Sequence, residues 1–262
     1  MQNSTSGNDG DLIRQVTTLS AIIAGFVVNV VSNIYPLRGL TIGQISNTFF
    51  ANVLIIPANY AFAIWGLIYL GLFTFGIYQF LPNHRYDDDL RKSGYLLVIA
   101  SAAQIIWVYL FLSQLFALSA IAILLILIPL IAIYLRLGIG KKSVSQIKRW
   151  CVHFPISIYL GWISVATIVN VASALYFHRW QGWGISPEIW TAIMLLVAFT
   201  VAALILTQHR DFAYTGVTVW ALVAIAIKQW QNSLLRNLAL IFAIALMAII
   251  TINSVKPQRP QT

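Results

Sequence analysis

The sequence predicts an all-α integral membrane protein of about eight transmembrane helices, and three observations carry that expectation. The 262 residues are 60% hydrophobic and 9% charged, where soluble domains carry roughly 25% charged residues. The apolar residues fall in long runs, each near the ~20 residues that cross the hydrocarbon of a bilayer. Runs such as 119–133 (SAIAILLILIPLIAI) show no two-residue alternation, which excludes a barrel of alternating strands.

Hydropathy and its punctuation place the spans at about 13–33, 59–81, 93–113, 115–136, 152–175, 187–207, 212–229 and 233–254, the seventh being the shortest. Polar tails are expected over 1–12 and 255–262. Asp9 and Asp11 precede the first apolar run, where a signal peptide would be basic, so the first span is read as retained. Residues 34–58 contain Pro36, Gly39, Gly43 and Pro57. A connection of that length is either a lid or binding loop or an ordinary surface excursion. Only Ser113 and Gln114 separate the third and fourth spans, which must therefore be antiparallel neighbours. The single cysteine, Cys151, permits neither an internal disulfide nor a cysteine-based metal site.

Charge sets the orientation. Of the 16 Lys and Arg residues, only Arg38, Arg179, Lys228 and Arg236 fall on the side of segment 34–58. The rest, from Arg14 to Arg259, fall on the other. The excess marks that other side as cytoplasmic and puts both termini there. The net charge of +9 is thus a topology signal, and no nucleic-acid partner is expected. The first partner is the lipid bilayer, and a plasma (inner) or a thylakoid membrane both fit. Trp150, Trp180, Trp183, Trp190 and Trp230 lie near span ends, as an interfacial aromatic belt requires.

No Asp or Glu lies inside any expected span. Intramembrane ionisable groups mark proton relays and ion sites, so their absence argues against ion-coupled transport. No P-loop, HExxH, GxSxG or metal-spaced His pair occurs, and His84, His153, His178 and His209 sit at span edges where solvated or interfacial roles are expected. No catalytic or metal-binding residue is assigned, and conventional enzyme chemistry is not expected.

Polar-aromatic residues recur instead at helical spacing. Phe62, Trp65 and Tyr69 share one face of the second span, Gln104, Trp107 and Phe111 one face of the third, and Tyr159, Trp162, Ala166 and Asn170 one face of the fifth. Each alone fits ordinary bundle packing. Together, with Gln104 and Asn170 as hydrogen-bonding partners, they also fit a cavity lined by flat rings that binds a flat, largely apolar ligand. Trp65, Tyr69, Trp107, Phe111 and Asn170 fall in the outer half of the membrane, beneath segment 34–58.

The same residues carry a family resemblance. Tyr159-Leu160-Gly161-Trp162, then Ala166-Thr167 and Asn170, resembles the YLxWxxxATxxN signature in the last helix of the tryptophan-rich sensory protein (translocator protein) family. Pro57-Ala58 through Phe62, Trp65 and Tyr69 is similar to the start of that family's second helix. Gln104, Trp107 and Phe111, then Phe116-Ala117-Leu118, is similar to its third helix and the turn into the fourth. Ala58 stands where the family has a second proline, Phe62 and Trp65 are one residue closer than usual, and Gln104 replaces an Asn.

The resemblance implies a five-helix bundle over 13–176, followed by a three-helix membrane extension over 177–254 as in the family's longer members. It implies binding of a tetrapyrrole such as protoporphyrin IX or haem, with no obligatory cofactor, in a sensor or carrier. Carried over by position, the ligand-binding residues are Trp65, Tyr69, Trp107, Trp162, Ala166 and Asn170, with Phe62, Pro57 and Phe111 beside them. Two alternatives stay open. One is a scaffold or assembly subunit, in a homodimer or with another membrane protein. The other is light-dependent porphyrin degradation.

Overall fold

The protein is described by a computed structural model over residues 3–255, with side chains from Gly10 onward. The C-terminal tail beyond Val255, with Lys256 and Arg259, lies outside the described residues. All regular structure among the described residues is helical: α1 Asn3–Ile34, α2 Ile42–Thr48, α3 Ile64–Tyr78, α4 Asp88–Leu112, α5 Phe116–Leu137, α6 Gln146–Lys148, α7 Phe154–Phe177, α8 Pro187–His209, α9 Phe212–Lys228 and α10 Ser233–Val255. A 3-10 stretch, Asn59–Ala63, leads into α3, and a π turn, Arg149–His153, joins α6 to α7 as one continuous rod.

Side-chain caps start several of these helices by accepting from backbone N–H groups that have no intrahelical partner. Asp87 Oδ1 accepts from Asp89 N at 2.9 Å before α4. Ser186 precedes the Pro187 that opens α8 and accepts from Ile189 N at 3.3 Å. Asp211 Oδ1 accepts from Ala213 N and Tyr214 N, both at 3.0 Å, and so restarts the chain as α9 immediately after α8.

Seven helical stretches are long and apolar enough to cross a membrane, and the chain is a multi-pass membrane protein. The helix α9 has 17 residues, or ~25 Å, short of the ~30 Å hydrocarbon core. Its ends nevertheless reach opposite sides. Just before its start, at the last residue of α8, His209 Nδ1 lies 2.9 Å from Ile139 O in the α5–α6 connection. At its far end, Gln229 Nε2 donates to Leu54 O of segment 34–58 at 2.9 Å. The helix α9 therefore runs along the bundle beside its neighbours at the place of the seventh expected span, and α10 follows at that of the eighth.

Two parts of the expected layout differ. The first helix begins at Asn3, so the stretch expected as a polar tail is helical. Polar residues from Asp11 to Gln15 find partners in the bundle. Arg14 donates to Gln79 Oε1 and Leu90 O, both at 3.2 Å, Gln15 Nε2 donates to Gln79 O at 2.6 Å, and Asp11 pairs with Arg91. His153, expected at a solvated or interfacial edge, is buried because α3 packs across the π turn.

Two groups of helices result. In the first, α4 and α5 form an antiparallel pair, α1 lies on α4, and α5 and α3 both pack on α7. In the second, α9 packs on α7 with α8 and α10 beside it. Gly161 permits the close approach between the groups, since a Cβ there would lie 3.1 Å from Tyr214 O and 3.2 Å from Val217 Cβ. Gly140, at φ +79°, passes so close to the end of α8 that a Cβ would sit 1.7 Å from His209 O. Only glycine serves there.

Candidate functional site

The middle of the first group is braced by side chains that bond from helix to helix. Tyr69 on α3 donates to Gly25 O of α1 at 2.9 Å and accepts from Gln104 Nε2 on α4. Tyr159 on α7 donates to Gln104 Oε1 at 2.7 Å, so one amide joins three helices. One turn further out, Trp107 Nε1 on α4 donates to Asn170 Oδ1 on α7 at 2.6 Å. Asn170 Nδ2 in turn donates to Ser119 Oγ on α5 at 3.0 Å. Each buried polar group so paired escapes the cost of an unmatched donor or acceptor in an apolar medium.

Above the Tyr69–Gln104–Tyr159 brace lies a cavity. Its walls are Phe62 and Trp65 of the α3 entry, Trp107 and Phe111 of α4, Ile123 of α5, and Trp162, Ile163, Val165, Ala166, Val169, Asn170 and Ser173 of α7. Ile42, Ser46 and Pro57 of segment 34–58 close it. The lining carries no formally charged residue. Phe62 meets Trp162 nearly at right angles with ring centroids 5.9 Å apart, and Trp107 lies beside Phe111 at 5.3 Å. Trp107 Nε1 is spent on Asn170, whose own amide nitrogen is spent on Ser119. The cavity therefore offers flat π faces and aliphatic surface. Its free space is about 40 Å³, little more than one water's ~30 Å³ share of the liquid, so the walls stand close together.

Segment 34–58 is a built lid. Thr41 and Gln44 form a reciprocal capping box at the start of α2. Ile45, Phe50, Val53, Ile55 and Ile56 are all buried. Phe50 packs edge-on to Phe116 at 4.7 Å and tilts against Phe111 at 6.3 Å, plugging the outer end of the bundle above the cavity.

Of the residues singled out from the sequence, Pro57, Phe62, Trp65, Trp107, Phe111, Trp162, Ala166 and Asn170 share this one cavity. Tyr69 does not line it. Packing of α1 on α3 draws its hydroxyl to Gly25 O and makes it part of the brace behind Trp65, whose ring lies 5.9 Å away. The lid residues Ile42 and Ser46 were not anticipated. The T-x-x-Q of Thr41 and Gln44 was the available signal, because a capping box there starts a helix that brings Ile42 and Ser46 to one face.

A family model described as TSPO-like protein matches residues 15–254. The match runs beyond α7 and takes in α8, α9 and α10. No curated protein and no solved structure matches the chain.

Proposed function

The chain belongs to the TSPO-like protein family, and we propose that it binds a flat, largely apolar ligand of the tetrapyrrole class, protoporphyrin IX or haem, as a membrane sensor or carrier. One observation carries the reading. Eight aromatic, small or amide residues from three helices and the lid converge on a single uncharged cavity roofed by a folded lid. Flat rings are bound by stacking and burial, which need few directed polar groups.

Size adds a requirement. Ligand pockets run to roughly 300–1,000 Å³, and this one has about 40 Å³. A macrocycle therefore enters only as the lid and the rings beneath it part. The reading includes an orientation with both termini cytoplasmic and the lid on the opposite side, as the distribution of Lys and Arg favours.

The test is a titration of the purified protein with protoporphyrin IX while following tryptophan fluorescence. Saturable quenching is expected, weakened in Trp65→Phe and Trp162→Phe and retained in Tyr69→Phe, which alters the brace and leaves the wall intact. Absence of saturable quenching, or quenching identical in the two tryptophan variants, contradicts the proposal. Isolation as a stoichiometric, pigment-free assembly with another membrane protein would favour a scaffold role instead.

A further inference from the structure

No residue of α8, α9 or α10 lines the cavity, yet the second half of α9 meets the lid and the Asn59–Ala63 turn that follows it. Trp220 Nε1 donates to Ala61 O at 3.2 Å, and its ring meets Tyr60 edge-on at 5.0 Å. One turn later, Ala58 N donates to Ala224 O at 3.0 Å. At the helix end, Lys228 Nζ donates to Asn47 Oδ1 at 2.6 Å and Gln229 Nε2 donates to Leu54 O at 2.9 Å. Positions 220, 224 and 228 recur every four residues and so form one face of α9. The residues they hold, from Asn47 to Ala61, bracket the plug Phe50 and the cavity residue Pro57.

We propose that α9 is a latch on the lid, and that its outer contacts set the rate at which the cavity opens. The two kinds of lid contact differ in a way that suits this role. Toward the bundle the lid presents mainly apolar side chains such as Ile45 and Phe50, which hold without direction, with one exposed hydrogen bond from Asn52 Nδ2 to the Tyr176 hydroxyl at 3.2 Å. Toward α9 it sets Ile55 beside Ala221, Leu222 and Ile225 and adds several directed hydrogen bonds, those of the exposed Lys228 and the half-buried Gln229 at the helix end. Water replaces such bonds at small net cost, so they break and re-form readily. The cavity's closeness makes the latch matter, because its lid must move before a ligand of macrocycle size is admitted. The consequence for ligand exchange rests on the binding reading above, whereas the lid motion does not.

The test uses the full chain in lipid nanodiscs. Cys151→Ser removes the native thiol, and Ser46→Cys places a reporter on the buried face of the lid. Labelling by a membrane-impermeant maleimide is compared with and without Lys228→Met plus Gln229→Glu, which keep the side-chain bulk and remove the donors. Labelling is expected to accelerate about tenfold, the equivalent of one or two net hydrogen bonds. A control cysteine at Ser101, buried in α4, should be unaffected. A change below about twofold, or an equal rise at position 101, overturns the latch. Should the double variant fold poorly, Trp220→Phe keeps the ring contact with Tyr60 and removes only the donor to Ala61 O, with a smaller acceleration expected and no change overturning the proposal. Protoporphyrin IX release, followed in the same samples, should speed up in parallel. Faster labelling without any porphyrin binding leaves the latch standing and removes the ligand reading. Porphyrin binding with unchanged labelling does the reverse.

Discussion

The cavity-bearing helices and the outer two of the C-terminal three, α8 and α10, are all strongly apolar and are built in opposite ways, whereas α9, packed on α7, is as buried as α4. Half of the central stretch of α4 and 56% of that in the α6–α7 rod is buried, against 22% in α8 and 17% in α10. In α10 the buried residues are Leu235, Ala239, Ala243 and Leu246, a single stripe at spacings of four, four and three. The polar side chains that brace the cavity helices differ from the threonines of α8 and α10. Gln104 and Asn170 bond across helices, whereas Thr200, Thr207 and Thr251 return their hydroxyls to carbonyls of their own helix. In a bilayer, lipid tails are as apolar as leucine, so apolarity does not separate a lipid-facing surface from a core. A polar side chain that crosses between helices does.

The largest effect is expected where the two groups of helices meet. Gly161→Leu drives a side chain into the Tyr214 backbone of α9. It should cost about 3 kcal/mol, the upper end of overpacking effects, read as a lowered unfolding temperature in detergent together with loosened lid contacts. Unchanged stability would mean that α9 does not pack on α7 as described. A pair of matched substitutions then sharpens the contrast. Asn170→Leu strands the Trp107 donor and should cost about 1–3 kcal/mol. Thr200→Val removes a hydroxyl bonded only within α8 and should stay within about 0.5 kcal/mol. Equal effects in the same denaturation assay would erase the distinction between the two regions.

How much of this was legible beforehand follows from the same physics. The span positions were readable, because hydropathy, glycine, proline and capping residues act locally. Even the short α9 had its Asp211 cap in plain view. The aromatic wall was readable as faces at helical spacing. Tyr69 shares the face of Trp65, but its hydroxyl is settled by Gly25 O on α1, a partner that no pattern within α3 announces. The lid's burial and its ties to α9 were not readable. Gln229 and Leu54 are 175 positions apart, and only the packing of α9 on α7 brings them together.

The central claim is that the cavity beneath the lid holds a planar pigment, and the most direct measurement is absorbance. The full chain, loaded with protoporphyrin IX in nanodiscs and freed of excess pigment, should carry a Soret-region band. Ala166→Phe, which fills the cavity without touching the brace, should abolish that band, while Trp230→Phe at the exposed end of α9 should retain it. A band of equal intensity in all three proteins would place the pigment elsewhere and contradict the account.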